Sequence, residues 1–216
     1  METYVVRVWL PDRPGALGQV ASRIGALRGD VIGIDILERG GGRAVDELVV
    51  ALPDGSVIEL LVAEMTQVDG VAVEDVRRVA NGRPDSGLVA LEMAAGLVEA
   101  DGPERLTTLC HSLAELLDGG WVVALDDASE RALVTVGSAP DSGWIAAFAH
   151  GSRHLEGVAH EAAAAEDLAW ARLPAAEVTV AVGRANRPFH TRERQQMALL
   201  CRTADSLLAQ SSSVAH

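Results

Sequence analysis

The sequence contains no lysine, and all 18 of its basic side chains are arginines. Aromatic residues are also few, with one tyrosine, two phenylalanines and four tryptophans among 216 residues. The formal net charge of −13 means that the average field of the molecule repels polyanions. We therefore expect no binding to nucleic acid and none to an anionic membrane surface.

Cysteine is scarce as well. Cys110 and Cys201 form no C-x-x-C or zinc-like spacing, and each falls on the apolar stripe of a predicted helix. This placement indicates two buried thiols in a reducing compartment, with a redox pair as the alternative.

Long apolar runs are absent, and none could cross a bilayer. The opening residues Met1-Glu2-Thr3 lack the basic-then-apolar layout of a secretory signal. The sequence therefore predicts a cytoplasmic protein. Hydrophobic residues make up 49% and charged residues 23%, which is enough apolar material for packed cores, and the length suits two domains.

The first 80 residues alternate between strand-like and helix-like patterns. An apolar strand ends in the turn Asp12-Arg13-Pro14-Gly15, and Leu17, Val20, Ala21, Ile24 and Leu27 then recur at helical spacing. We predict that Gly29 caps this helix. The predicted order is strand, helix, strand, strand, helix, strand, which is the ferredoxin-like split βαβ layout; its elements cover 4–10, 16–29, 31–39, 43–51, 56–67 and 71–79.

The string Asp12-Arg13-Pro14-Gly15-Ala16-Leu17 resembles the ligand loop of the ACT domain, a small regulatory module that binds amino acids. Backbone N–H groups at this helix start could hold a carboxylate, and Gly15 would allow a close approach. The resemblance implies homodimerisation and a ligand bound across the dimer interface. It implies a ligand site made of Leu10, Asp12, Arg13, Pro14, Gly15, Ala16, Leu17, Asp30 and Val31.

One residue departs from the amino-acid-binding pattern. Asp30 stands just before the second strand, where asparagine is the typical residue. A carboxylate there, like that of Asp12, favours an ammonium group and opposes a carboxylate. The alternative is that Pro14-Gly15 only makes a tight turn and Asp30 only begins a strand.

The segment 81–87 combines turn residues with charge and predicts a linker between domain 1–80 and domain 88–210. The second domain is predicted to have helices near 88–100, 106–117, 141–154 and 188–208, and strands at 121–125, 132–136, 168–173 and 178–182. A disordered tail is predicted over 211–216. The predicted fold class is α+β.

The second half resembles a GAF-type sensor domain. The resemblance rests on three stretches: Asp167 to Pro174, Val182-Gly183-Arg184, and Pro188-Phe189-His190-Thr191-Arg192-Glu193-Arg194. It implies a pocket that Trp144, Phe148 and Trp170 could line, and first and last helices that could supply a helical interface. The lysine-containing signature of cyclic-nucleotide-binding members is absent, because the chain has no lysine.

Histidines offer one further possibility. His150 and His154 are spaced i, i+4 on a predicted helix, and His160-Glu161 follow, so a metal or haem site is an alternative. The set lacks the H-E-x-x-H carboxylate and a nearby cysteine, and solvent-facing histidines would look identical. We expect no metal and no cofactor.

No nucleophile elbow, phosphate loop or credible triad occurs in the sequence. We therefore expect a protein that is not an enzyme, and that regulates by binding a small amino acid or related metabolite and relaying it to an effector protein or through self-association. The alternatives are a dimerisation scaffold with no bound ligand and, less favoured, a haem or metal sensor.

Overall fold

The computed structural model describes residues 1–80, 85–152 and 167–214, with side chains through Gln210. The chain divides into two compact units. The first comprises Met1–Asp85 with His190–Arg192, and the second comprises Ser86–Phe189 with Glu193–His216. Most of the predicted linker, residues 81–84, lies outside the described residues.

The first unit is a four-stranded antiparallel sheet with two helices. Its strand order is β2-β3-β1-β4. Its elements are β1 (Glu2–Pro11), α1 (Ala16–Ala26), β2 (Asp30–Gly40), β3 (Arg43–Leu52), a 3₁₀ turn (Gly55–Val57), α2 (Ile58–Thr66) and β4 (Ala72–Val79). This is the ferredoxin-like order that the sequence predicts.

Both helices of this unit cover the same face of the sheet. Alternate residues of β1 face them: Tyr4, Val6, Val8 and Leu10. They pack with Val20 and Ile24 of α1 and with Leu61 and Met65 of α2. The period of two in the strand and the helical spacing in α1 therefore meet in one core.

The opposite face of the sheet carries a row of charge across adjacent strands. Arg7 on β1 lies directly opposite Glu47 on β3 and Asp75 on β4. Arg7 Nε donates to Glu47 Oε2 at 2.6 Å, and Arg77 donates to Glu47 at 3.3 Å and to Asp75 at 3.0 Å. Arg7 and Glu47 are both buried, so countercharge and hydrogen bonds replace the water that they lose.

The end of α1 differs from the predicted glycine cap. The helix ends at Ala26, and the left-handed residue is Arg28, with φ 59°. The Gly29 amide still donates to the Ile24 carbonyl at 3.1 Å. A Cβ on Gly29 would meet Ile24 and Leu52 at 2.9 Å, so this glycine serves close packing instead of the left-handed turn.

The second unit also contains a four-stranded antiparallel sheet, in the order β6-β5-β8-β7. Its elements are α3 (Ser86–Glu99), a 3₁₀ turn (Gly102–Glu104), α4 (Arg105–Leu116), β5 (Trp121–Asp126), β6 (Ala132–Gly137), α5 (Ser142–Ser152), β7 (Leu168–Leu173), β8 (Val178–Gly183) and α6 (Thr191–Val214). Helix α6 continues four residues into the predicted tail.

Both faces of this second sheet are covered. The larger core joins one face to helices α3, α4 and α6, and it contains both cysteines. A smaller core joins the other face to Ile145 and Ala146 of α5. Burial raises the pKa of Cys110 and of Cys201 to about 12, so both thiols are protonated at neutral pH.

Arg184 anchors the start of the last helix. Its guanidinium forms a two-pronged ion pair with Glu193, at 2.8 and 2.9 Å. The remaining N–H groups donate to the carbonyls of Leu117, Pro188 and Arg187, and the guanidinium lies 3.9 Å from the centre of the Phe189 ring. All five guanidinium N–H groups therefore have acceptors.

Gly183, just before Arg184, is required by a close approach. A Cβ at this position would lie 2.2 Å from the indole ring of Trp121 on the neighbouring strand. The stretch Val182-Gly183-Arg184 thus supplies a core side chain, room for a tryptophan and an anchor for a helix.

None of the helices in the described parts of the chain is long and apolar enough to span a membrane.

We predict that Arg184→Met destabilises the protein by about 3–5 kcal/mol, because it leaves Glu193 as an uncompensated buried carboxylate. Urea unfolding followed by far-UV circular dichroism measures the change. The matched control is Arg172→Met, which removes an ion pair with Asp127 from an arginine side chain that is 45% exposed. We expect that control to cost less than about 1 kcal/mol. Equal costs in the two variants would contradict the anchoring role of Arg184.

Candidate functional site

The candidate site lies where β1 passes into α1. The strand ends at Pro11, and the Asp12 amide donates to the Gly42 carbonyl at 2.9 Å. Gly15 then adopts the left-handed conformation, with φ 87°, which residues with a Cβ rarely adopt. A Cβ built there would meet nothing within 4 Å, so the space in front of the turn is open.

The N-terminus of α1 has little intrinsic capping. Gly15 occupies the N-cap position and offers no side-chain hydrogen bond, and the first turn contains no acidic residue. The first amides of a helix lack intrahelical acceptors, and the helix dipole is positive at this end. The turn and the start of α1 therefore form a surface suited to a small anion such as a carboxylate.

Asp46, which the sequence analysis did not single out, lies on the sheet close to this turn. It sits on β3, opposite Val8 of β1 and Ile36 of β2. Directly opposed residues of antiparallel strands share a face, and Val8 belongs to the core beneath the helices. The side chain of Asp46 therefore points to the helix-covered face, one row along the sheet from Leu10.

One oxygen of the Asp46 carboxylate is buried without a hydrogen bond. Asp46 is 4% exposed, and within the described residues its Oδ1 has no hydrogen-bond partner. Burial raises the pKa of Asp46, the positive charge of Arg39 lowers it, and the negative charge of Asp12 raises it further. The buried carboxyl group of Asp46 and the carboxyl group of Asp12 in the turn therefore repel each other electrostatically, at the end of the sheet where α1 begins.

The edge strand β2 adds apolar surface beside Asp46. Ile34 and Ile36 lie opposite Leu48 and Asp46, on the helix-covered face, yet they are 49% and 39% exposed. Ile32, at a bulge in the same strand, is 52% exposed. The outer strand therefore presents a row of isoleucines that the two helices do not cover.

The predicted site residues do not all come together within one chain. Leu10 and the turn from Asp12 to Leu17 lie at the end of the sheet where β1 pairs with Arg43. Asp30 pairs with Ala51, eight positions further along β3. At about 3.3 Å per residue, this separation is roughly 26 Å. Asp30 and Val31 thus lie far from the turn of their own chain.

In the second unit the three aromatic residues occupy different surroundings. Trp144 and Phe148 stack on α5 with ring centres 5.8 Å apart, and Trp144 is 51% exposed. Trp170 is half-buried against the smaller core. A cavity of about 10 Å³ near His150 is lined by other residues of the sheet and α5, and none of the three aromatic side chains lines it.

The histidine pattern is only partly within the described residues. His150 is exposed and its Nδ1 lies 3.9 Å from Glu130, whereas His154, His160 and Glu161 lie outside the described residues. Among the side chains that the structure describes, no group of three or more histidine, cysteine, aspartate or glutamate residues could hold a metal ion.

A second polar cluster in the first unit surrounds His190. Its Nε2 lies 2.9 Å from Glu74 and its Nδ1 lies 3.2 Å from Glu38. The Trp9 indole also donates to Glu74, at 2.8 Å. Burial alone would raise the pKa of Glu74, but the hydrogen bonds from His190 and Trp9 lower it. These groups satisfy one another, so this cluster has a structural role.

The buried carboxylate of Asp46 leads to a prediction about the stability of the protein without ligand. Because its folded pKa is raised, Asp46 holds a proton more tightly in the folded state, and the free energy of unfolding falls as pH rises above the unfolded pKa. Asp46→Asn removes the buried charge, so we expect a melting temperature about 2–4 °C higher at pH 7, corresponding to about 1 kcal/mol.

The difference between Asp46→Asn and the wild type should shrink as the pH falls and the carboxyl group, whose pKa is raised by burial, takes up its proton. Differential scanning calorimetry across this pH range measures it. Asp69→Asn, at an exposed position of the same unit, is the control and should change little at any pH. A lower melting temperature for Asp46→Asn at pH 7 would contradict the prediction.

Comparison with known proteins identifies the first unit. Residues 4–70 match the family model of the ACT domain, whereas no curated protein matches the chain. Among solved structures, the chain is similar to the ACT domain of a GTP pyrophosphokinase from Chlorobium tepidum, at 18% identity over 37% of this chain and 100% of that one, with a TM-score of 0.30. It is also similar to an ACT domain protein from Streptococcus pneumoniae, at 16% identity over 39% and 97%, with a TM-score of 0.31. A third similar structure is the C-terminal domain of the MgtC protein from Mycobacterium tuberculosis, at 19% identity over 39% and 95%, with a TM-score of 0.32. The match to the family model shows that residues 4–70 of this chain form an ACT domain.

Proposed function

We propose that the chain is a non-enzymatic regulatory protein whose ACT domain binds a small amino acid or a related metabolite at the β1–α1 turn. The observation that carries this proposal is the start of α1, which has no side-chain cap, no acidic residue in its first turn, and open space in front of Gly15. The Ala16 amide already donates to the Arg13 carbonyl at 3.3 Å, so a ligand carboxylate would supply an acceptor to the amides of Gly15 and Leu17.

A second copy of the chain would complete the site. ACT domains often dimerise, and within one chain Asp30 and Val31 lie roughly 26 Å from the turn by strand geometry. The edge strand β2 carries exposed isoleucines and has one unpaired edge, so it offers a surface for another copy. In this arrangement Asp30 of the partner subunit lies beside the turn.

The second unit is proposed to act as a GAF-like relay that passes the bound state to an effector protein or to the dimer. Support comes from its antiparallel sheet with helices on both faces and from the Arg184–Glu193 anchor at the head of the last helix. The residues on which the GAF resemblance rests include both members of this ion pair.

A scaffold function is the second candidate. The exposed row of Ile32, Ile34 and Ile36 on β2 favours it, because the row suits association whether or not a ligand is present. Binding and scaffolding differ in whether a small molecule stabilises the folded protein.

The binding proposal predicts that at least one of the twenty amino acids raises the melting temperature of the protein. A ligand at one hundred times its Kd stabilises the folded state by about 2.7 kcal/mol. Differential scanning fluorimetry at millimolar amino acid measures the shift. If none of the twenty shifts the midpoint, amino-acid sensing is rejected and the scaffold function is preferred.

Gly18, an exposed residue in the first turn of α1, allows a sharper version of this experiment. A Cβ there meets nothing within 4 Å, so substitutions fit. Gly18→Glu improves helix propensity and complements the helix dipole, yet it places a negative charge beside the proposed carboxylate position. We expect a free protein at least as stable as the wild type and a loss of the ligand-induced shift. Gly18→Ala, the matched control, should keep the shift.

The dimer proposal predicts that Ile34→Arg shifts the protein towards the monomer. The charge would be buried without a partner if β2 of one copy meets another copy. Sedimentation velocity at micromolar concentration measures the distribution. Leu60→Arg, at a 50% exposed position on α2, is the control and should leave the distribution unchanged. The same distribution for both variants would exclude β2 from the interface.

A further inference from the structure

Strand β3 carries a buried carboxylate oxygen, Oδ1 of Asp46, that no hydrogen-bond donor reaches within the described residues. Two consecutive acidic residues, Asp46 and Glu47, occur on β3, and their side chains lie on opposite faces of the sheet. Glu47, on one face, forms ion pairs with Arg7 and Arg77. Asp46, on the other face, is as deeply buried, but within the described residues nothing donates to its Oδ1.

A buried carboxylate without a donor is costly for a folded protein, because removal from water is not repaid by a hydrogen bond. The neighbours of Asp46 on its row, Val8 and Ile36, are apolar and cannot donate. Arg39 is the nearby positive charge, but it is exposed and forms no ion pair with Asp46 in the described structure. Within the described residues Oδ1 of Asp46 therefore lacks a hydrogen-bond donor, which the ammonium group of a ligand could supply.

Charge is arranged with opposite signs at this end of the sheet. The start of α1 is positive because of the helix dipole and because its first amides lack acceptors within the helix. Asp46 and Asp12 are negative, and the exposed Arg39 is the positive side chain that acts on Asp46. A ligand that contacts both parts must carry an anionic group and a cationic group.

We propose that Asp46 is the receptor for the ammonium group of a zwitterionic ligand whose carboxylate lies at the start of α1. This inference rests on the proposed binding function and adds to it the residue that makes an unblocked amine necessary in the ligand. It excludes 2-oxo acids, N-acylated amino acids and phosphate esters without an amine.

Asp46 is better suited to this discrimination than Asp12. Asp12 is exposed, so water and salt screen its charge, whereas the buried charge of Asp46 acts in a medium of lower dielectric constant. A ligand without an ammonium group would leave the Asp46 carboxylate buried and unpaired, and it would add a second anion nearby. Selectivity for the amine therefore arises from the penalty on ligands that lack it.

The test compares each of the twenty amino acids with its N-acetyl derivative and its 2-oxo acid, where these exist, on the full chain at pH 7. Isothermal titration calorimetry gives the Kd for any compound that raises the melting temperature. For the wild type we expect binding by the free amino acid and at least tenfold weaker binding by both amine-blocked and amine-free forms. Asp46→Asn should weaken the amino acid at least tenfold, whereas Asp69→Asn should leave its Kd unchanged.

The outcomes separate this inference from the proposed function. If an amino acid binds the wild type and Asp46→Asn equally while Gly18→Glu abolishes binding, the turn is the site and the role of Asp46 is overturned. Equal binding of the N-acetyl derivative overturns it as well. If neither the amino acids nor their derivatives bind the wild type, both the proposed function and this inference fail.

A second measurement on the wild type guards against a variant that does not fold. The side-chain carboxyl ¹³C resonance of Asp46, assigned through its own backbone, should shift when the amino acid is added and should remain unchanged with the 2-oxo acid. An unchanged resonance at saturating amino acid would overturn the role of Asp46.

Discussion

A buried charge in this protein needs a partner, and this constraint organises both units. In the second unit Arg184 gives every guanidinium N–H an acceptor and thereby joins the loop after α4, the segment before α6 and α6 itself. Arg105 acts similarly, donating to the carbonyls of Leu97, Ala100 and Leu207. In the first unit Glu47 is matched by two arginines. Asp46 stands apart because no such match surrounds it.

The same constraint changes how the GAF resemblance is understood. Residues on which the GAF resemblance rests have packing roles in this structure. Gly183 leaves space for the Trp121 ring, and Arg184 forms an ion pair with Glu193 at the start of α6. Such residues specify how a sheet receives its last helix, and they say little about what a pocket binds. Trp144, Phe148 and Trp170, which the resemblance offered as pocket residues, divide between an exposed stack on α5 and the wall of a small core.

Periodicity was sufficient to predict the elements of the ACT domain and their order, because alternate residues of the strands and helically spaced residues of the helices meet in one apolar core. Single positions were harder. Gly29 was predicted as the helix cap, but Arg28 takes the left-handed conformation and Gly29 is needed for contact with Ile24 and Leu52. Asp46 could not be found from its neighbours in the chain, because Asp46 and Glu47 look alike there. Only strand pairing shows that Glu47 faces Arg7 and Asp46 faces apolar side chains.

The turn from Asp12 to Leu17 therefore supplies only part of the ligand site that the sequence predicts. On the sequence alone, the negative charges of Asp12 and Asp30 both oppose a carboxylate ligand. This expectation conflicts with the start of α1, which suits an anion. In the structure Asp30 lies at the other end of its own sheet, and Asp46 lies towards the end where α1 begins. Positive amides and a buried negative carboxylate then lie on the same side of the domain, each without a full set of partners. Opposed charges on one side of a domain suit a zwitterion better than either a simple anion or a simple cation, because only a zwitterion neutralises both.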